Sequence, residues 1–362
     1  MPKAISISKV DGKPGHVYYP LSLDEVPTPS PEGRQVIIKI HAAALNHRDL
    51  FIRQHLYPGT AFGIPLLADG SGTVIAVGSD ADPKWKGKRV VVNPGIGWKD
   101  DPAGPEDQGG YKILGGTKTN PNGTLQEYVA IDESELEEAP EHLSAVEAAA
   151  IPLTGLTAWR AVVTKCGAHN LKPGKNILVT GIGGGVALMA LEFARASGAN
   201  VWVTSGSEEK IKKAIGLGAK GGVNYKEATW EKKLLALLPA ENKQIDAIVD
   251  GAGGDVVEKG AKLLKPGGVI AIYGMTVGPK MPFLMQAVLK NIELKGSTMG
   301  SRKEFKDMVD FIRSTKARPV VSRVVQGLDL EAINDLFEDI KKGSQFGKLV
   351  IEISKPGAES KL

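Results

Sequence analysis

The chain has 362 residues, enough for two domains, and its 42% apolar and 24% charged residues exclude the disordered, collagenous and coiled-coil classes. Lys and Arg number 45 against 41 Asp and Glu, a formal charge of +4 with the basic residues scattered, so no nucleic-acid partner is expected. The single cysteine, Cys166, excludes an intrachain disulfide and every zinc site that needs two or more thiolates.

In chain order, the segment from Met1 to Val10 lacks the apolar stretch of a secretory signal. No apolar run reaches the roughly 20 residues that cross a bilayer, so a soluble, non-secreted protein with no membrane partner is expected. Short strands over 36–42, 73–77, 89–92 and 126–129, separated by Gly- and Pro-rich turns, predict a mainly β unit. Ser144-Ala-Val-Glu147 reads as a capping box opening a helix, with Pro152 interrupting it. From about Lys175, strands over 176–180, 200–204, 222–225, 245–250, 269–273 and 292–296 alternate with helices over 187–197, 208–217, 229–238, 256–264 and 282–290. That alternation predicts an α/β fold with a doubly wound parallel sheet of six strands. A strand over 320–325, a helix over 330–341 and a strand over 348–353 are placed back on the β unit. The expected organisation is 1–145, a dinucleotide domain over 146–300, a return over 301–354 and a polar tail over 355–362, with the chemistry in an interdomain cleft. The chain closes Ser360-Lys361-Leu362, the tripeptide read by peroxisomal import receptors, so peroxisomal import through that receptor is expected, with the cytoplasm as the alternative.

The strand over 176–180 runs into Gly181-Ile-Gly-Gly184-Gly185-Val186-Ala187 and then an apolar-periodic helix. Exposed backbone N–H groups of Gly181, Gly184, Gly185 and Val186, together with the helix dipole, are suited to a pyrophosphate. The next strand ends in Thr204-Ser205-Gly206-Ser207, with no carboxylate before Glu208. A carboxylate there would hold a ribose 2′-hydroxyl; Ser205, Ser207 and Lys210 instead suit a 2′-phosphate, so NADP(H) is expected over NAD(H). Gly251-Ala-Gly253 and Tyr273-Gly274 end two later strands and are expected to border the cofactor.

With these segments in place, the chain resembles the medium-chain dehydrogenase/reductase superfamily, and within it the zinc-independent quinone oxidoreductase-like and enoyl reductase-like branch. The carrying segments are 44–50, 69–78, 153–159, the glycine loop, 217–226 and Gly347-Lys-Leu-Val350. The resemblance implies a GroES-like catalytic domain, a Rossmann domain and a homodimer. It also implies that a cysteine, a Gly-His-Glu motif and a third ligand would hold zinc, where this chain has Asn46, Ala68-Asp69-Gly70 and Leu153-Thr154. No zinc is therefore expected, since a catalytic site needs about three N, O or S ligands. None of the six histidines forms an i,i+4 ligand pair.

By the same resemblance, Tyr57 is the candidate general acid and Asn46 faces the nicotinamide or the substrate. Thr154, Tyr225 and Lys348 match cofactor-contacting positions. Asp49 is expected to fix its loop, and Cys166 to be inert packing. The expected reaction is hydride transfer from NADPH to an activated C=C of an enoyl or enone small molecule, or to a quinone. A carbonyl reductase or alcohol dehydrogenase without zinc is the alternative, and an idle NADPH-binding protein is a reading of another class.

Overall fold

The computed structural model describes residues 1–278, 280–355 and 357, so the Ser360, Lys361 and Leu362 ending lies outside the described residues. The chain divides into two compact units, Met1–Leu153 with Ser301–Leu362, and Thr154–Gly300. The first unit thus extends past residue 145. Its helix Ala145–Ala149 is held there by Ser71 Oγ, which donates to the Ala145 carbonyl at 2.6 Å.

The first unit is built on a seven-stranded sheet. In spatial order its path is Val321–Gln326, Lys348–Glu352, Gln35–Ala44, Asp69–Val77, Arg89–Val92 and Leu136–Glu138, with Tyr128–Asp132 also pairing Gln35–Ala44. The return of the chain after residue 320 is therefore structural: Lys348–Glu352 pairs antiparallel with Gln35–Ala44 in its centre. Ile5, Ile52, Leu66, Leu67, Phe337 and Ile351 share one buried core. Each such side chain contributes about 1.5–3 kcal/mol by leaving water. A helix absent from the sequence reading, His47–Arg53, follows the central strand directly. Its apolar run Leu50-Phe-Ile52 is too short to display a helical period.

The second unit has a six-stranded parallel sheet in the order Gly221–Asn224, Asn200–Ser205, Asn176–Val179, Ile245–Asp250, Leu264–Ile272, Glu293–Gly296. Numbered within the unit this is 3-2-1-4-5-6, the doubly wound dinucleotide arrangement. Ile245–Asp250 is buried at every residue, as expected of an inner parallel strand covered on both faces. The helix expected over 282–290 contracts to Met285–Leu289, because Leu284 is extended and Pro282 lies before it. Ser144 and Glu147 form the expected capping box, and a new helix, Pro152–Trp159, begins at the proline. Among the described residues no helix is long and apolar enough to cross a membrane.

Candidate functional site

In the first unit, three polar side chains meet in a dry place. Asn46 caps the helix His47–Arg53, Asp69 opens a sheet strand and Lys348 opens another. Lys348 Nζ donates to Asp69 Oδ2 at 2.7 Å and to Asn46 Oδ1 at 2.6 Å, and Asn46 Nδ2 donates to the same Asp69 oxygen at 2.9 Å. The remaining oxygen, Asp69 Oδ1, accepts the Leu153 N–H at 2.7 Å. Burial is nearly complete, with Asp69 at 0%, Lys348 at 4% and Asn46 at 6% exposure. Such a pair survives burial because each charge has a partner and further hydrogen bonds.

Asp49 lies beside this centre. It accepts the Asn46 N–H at 2.8 Å and pairs with Arg48 at 3.1 Å, so it fixes the loop as expected. Burial pushes its carboxyl up to about 6; Arg48, the Asn46 N–H and Lys348 pull it down, and Asp69 pushes it further up. Arg48 also donates to the carbonyls of Leu114 and Gly115 at 3.0 and 2.9 Å, and its guanidinium lies 4.7 Å from the Tyr57 ring centroid. Tyr57 is thus half-buried on an arginine face. Leu67, fully buried, holds a left-handed φ of 67° immediately before Ala68 and Asp69, an unusual conformation for a residue with a Cβ.

The residues that stand at the zinc-ligand positions do not fit a metal. Asn46 Oδ1 and Asp69 Oδ2 already accept from Lys348, Asp69 Oδ1 accepts the Leu153 N–H, Ala68 and Leu153 offer no donor side chain, and the Lys348 ammonium stands among them. Among the described residues no three His, Cys, Asp or Glu side chains are grouped to hold an ion. The stretch from Gly95 to Asn122, which contains no cysteine, is organised by a carboxylate. Glu106 accepts the N–H groups of Lys99, Asp100 and Asp101 at 2.6, 2.9 and 2.8 Å, which lowers its carboxyl to about 2.

Among the histidines near this site, His41 is buried between Ser354 and Thr73, with its pKa lowered by burial, and His55 meets the Tyr19 hydroxyl at 2.7 Å. His41 is a satisfied packing group, and His55 is an exposed side chain bonded to Tyr19.

In the second unit the strand Asn176–Val179 leads into a glycine turn and the helix Gly185–Ala196. Gly181 and Gly183 have φ of 61° and 129°, and at Gly184 an added Cβ would meet nothing within 4 Å, so the mouth of the helix is open. The first N–H groups of that helix, Gly185 and Val186 among them, have no carbonyl one turn back. Ser205 is buried and accepts the Ser207 N–H at 3.3 Å, and Ser207 caps the helix Glu208–Gly216 by accepting the Lys210 N–H at 3.4 Å. The Lys210 stem lies 3.0 Å from where a Gly183 Cβ would be, so glycine there lets the lysine reach the turn. Burial, then Lys213, lowers the Lys210 pKa, a setting that favours an added anion. At Gly206 a Cβ would fall 2.8 Å from the Tyr225 hydroxyl and 2.9 Å from Lys226 Cε, which brings Lys226 to the same strand end.

Tyr273 packs its ring on Gly251, where a Cβ would sit 2.5 Å away, and burial followed by the Asp250 charge raises its pKa. Thr154 is buried in Pro152–Trp159, and Cys166 is buried with its thiol raised to about 12, an inert group. Within each unit, then, the expected residues gather: Asn46 with Lys348 in one, and the glycine turn with Ser205, Ser207, Lys210 and Tyr225 in the other. Asp69 was read only as standing at a zinc-ligand position, and Arg48 and Lys226 were left without a role, because their partners are remote in sequence or contributed by backbone.

Residues 185–314 match the zinc-binding dehydrogenase family and residues 32–141 the alcohol dehydrogenase GroES-like domain family. A zinc-type alcohol dehydrogenase-like protein of Leptosphaeria maculans, YogA, is 53% identical over 98% of this chain and 100% of its own length. One of Schizosaccharomyces pombe is 33% identical over 88% of this chain and 91% of its own length. The solved structure of an NAD-dependent alcohol dehydrogenase superposes with a TM-score of 0.84 at 35% identity, covering 98% of this chain and 100% of that one. These relatives carry zinc-type alcohol dehydrogenase names, not those of the quinone oxidoreductase-like branch that the resemblance pointed to. The chain belongs to the medium-chain dehydrogenase/reductase superfamily, with zinc-type alcohol dehydrogenase-like proteins as its relatives.

Proposed function

We propose that the protein is an NADP(H)-linked oxidoreductase that interconverts a carbonyl compound and its alcohol without a bound zinc ion. The observation that carries this reading is the Lys348–Asp69–Asn46 centre, in which a buried ammonium occupies the donor set a metal would need. When bound, the nicotinamide supplies or accepts the hydride. The glycine turn and the open helix mouth would take the pyrophosphate, and Ser205, Ser207, Lys210 and Tyr225 would surround the 2′-phosphate. Without a metal, the charge that develops on the substrate oxygen must be met by hydrogen-bond donors, for which Tyr57 is a candidate.

A second reading, reduction of an enoyl or enone C=C or of a quinone, is favoured by the same lack of fitting zinc ligands. Conjugate reduction leaves its charge on an enolate oxygen, which a phenol or amide can hold without a Lewis acid. We also propose a homodimer. The edge strand Glu293–Gly296, with Leu294 exposed, and the exposed Met285, Val288 and Leu289 of the helix that precedes it offer apolar side chains to a second copy.

The test is turnover with NADPH and NADH on aldehydes, ketones, enones and quinones, with products identified. Carbonyl-to-alcohol conversion with NADPH preferred is the expected result. Equal efficiency with the two coenzymes would remove the 2′-phosphate argument, and saturated C=C products would favour the second reading.

A further inference from the structure

We propose that Lys226 is a residue that selects NADP(H) over NAD(H), its ammonium pairing with the 2′-phosphate above the bare backbone of Gly206. This deepens the coenzyme reading given above and rests on it. Ser205 ends the strand Asn200–Ser205 in register with Asn224, the last residue of Gly221–Asn224. Past these ends the Tyr225 N–H donates to the Ser205 carbonyl at 3.1 Å and the Lys226 N–H to Asn224 Oδ1 at 3.1 Å. Both bonds fix the start of the turn that carries Tyr225 and Lys226. A Cβ on residue 206 would fall 2.8 Å from the Tyr225 hydroxyl and 2.9 Å from Lys226 Cε, so both side chains come down onto the glycine.

Both groups are open to a ligand in solvent, with Tyr225 50% exposed and Lys226 exposed as well. Among the described residues neither the Tyr225 hydroxyl nor the Lys226 ammonium has a hydrogen-bond or ion-pair partner. The acidic residues nearby in sequence are engaged or outlying: Glu209 pairs with Lys213 at 2.6 Å, Glu227 pairs with Lys233, and Glu208 is exposed in the first turn of its helix. The charge on Lys226 is therefore uncompensated beside a strand end that carries no carboxylate from Thr204 to Ser207.

Lys210 reaches the same strand end from the helix Glu208–Gly216. Its stem lies on Gly183, and the Ile182 N–H, donating to the Thr204 carbonyl at 2.8 Å, holds that glycine turn beside the strand. Two ammoniums and a phenol match a dianionic phosphate ester, whereas an uncharged 2′-hydroxyl gains little from them. The pyrophosphate, which both coenzymes carry, is met by the glycine turn and the helix mouth. Loss of the Lys226 charge is thus felt by one coenzyme and not the other.

The test is calorimetric titration of the ligand-free protein with NADP⁺, NAD⁺ and 2′,5′-ADP, in the wild type, Lys226→Met and Lys226→Glu. Methionine keeps an apolar stem of similar reach, and substitution of an exposed side chain leaves the fold intact. The expected result is NADP⁺ and 2′,5′-ADP binding weakened about tenfold by Lys226→Met, the scale of one charge-assisted hydrogen bond, and further by Lys226→Glu. NAD⁺ binding should stay within about twofold of the wild type in Lys226→Met. Unchanged NADP⁺ affinity in both variants overturns the proposal, and so does an equal loss for NADP⁺ and NAD⁺, which would place Lys226 on the part the coenzymes share. In either case a wild-type preference for NADP⁺ leaves the coenzyme reading standing. A wild type that binds NAD⁺ as tightly as NADP⁺ overturns that reading, and the proposal with it.

Discussion

Lys348 Nζ lies 2.7 Å from Asp69 Oδ2, with side-chain exposures of 4% and 0%, although the two residues are 279 positions apart. The pair joins the late strand Lys348–Glu352 to the early strand Asp69–Val77 through a shared partner, Asn46. Removing one charge strands the other in a dry site, a loss of about 3–5 kcal/mol. Lys348→Met is expected to destabilise by that amount in urea unfolding. The double variant Lys348→Met, Asp69→Asn is expected to recover a large part, because neither charge is then unpaired.

Leu67 carries a left-handed backbone and a fully buried side chain, so two effects compete in Leu67→Gly. Relief of the backbone strain returns about 1–3 kcal/mol. Deleting a buried leucine side chain costs about 2–5 kcal/mol, and glycine adds unfolded-state freedom. Net destabilisation is expected, read as a lower urea midpoint. A more stable variant would mean that strain outweighs packing here.

Much of the fold was legible in the sequence, and the reason is local. The strands over 176–180, 200–204 and 245–250 are apolar runs punctuated by glycine turns, and their parallel pairing follows from the helices between them. The phosphate turn was legible for the same reason, since strand, glycines and helix are contiguous. The Asn46–Asp69–Lys348 centre was legible only in part. Asn46 and Lys348 were singled out separately, but their meeting depends on a sheet closed by residues from both ends of the chain.

Asp49 gives stability a pH signature. Its folded-state pKa, about 6, lies above the unfolded value of 3.8, so between these values the folded chain holds a proton that the unfolded chain has lost. Its contribution therefore falls as pH rises from about 4 to about 6 and is flat above, a change on the order of 3 kcal/mol. Urea unfolding at intervals across that window is expected to show a shallower decline for Asp49→Asn than for the wild type.

Glu106 holds three backbone N–H groups, those of Lys99, Asp100 and Asp101. Because its pKa is lowered to about 2, its hold is complete above the ordinary carboxylate range and is lost as pH falls through about 2. Glu106→Gln is expected to speed amide exchange at Lys99, Asp100 and Asp101 at neutral pH. Exchange in the strand Ile245–Asp250 should not change.

The most direct measurement is zinc content per chain on protein that is actively oxidising NADPH in the presence of a carbonyl substrate, before and after chelator dialysis. The account predicts zinc well below one ion per chain and activity that survives the chelator. Close to one zinc per chain, with activity lost on its removal and restored on its return, would contradict it.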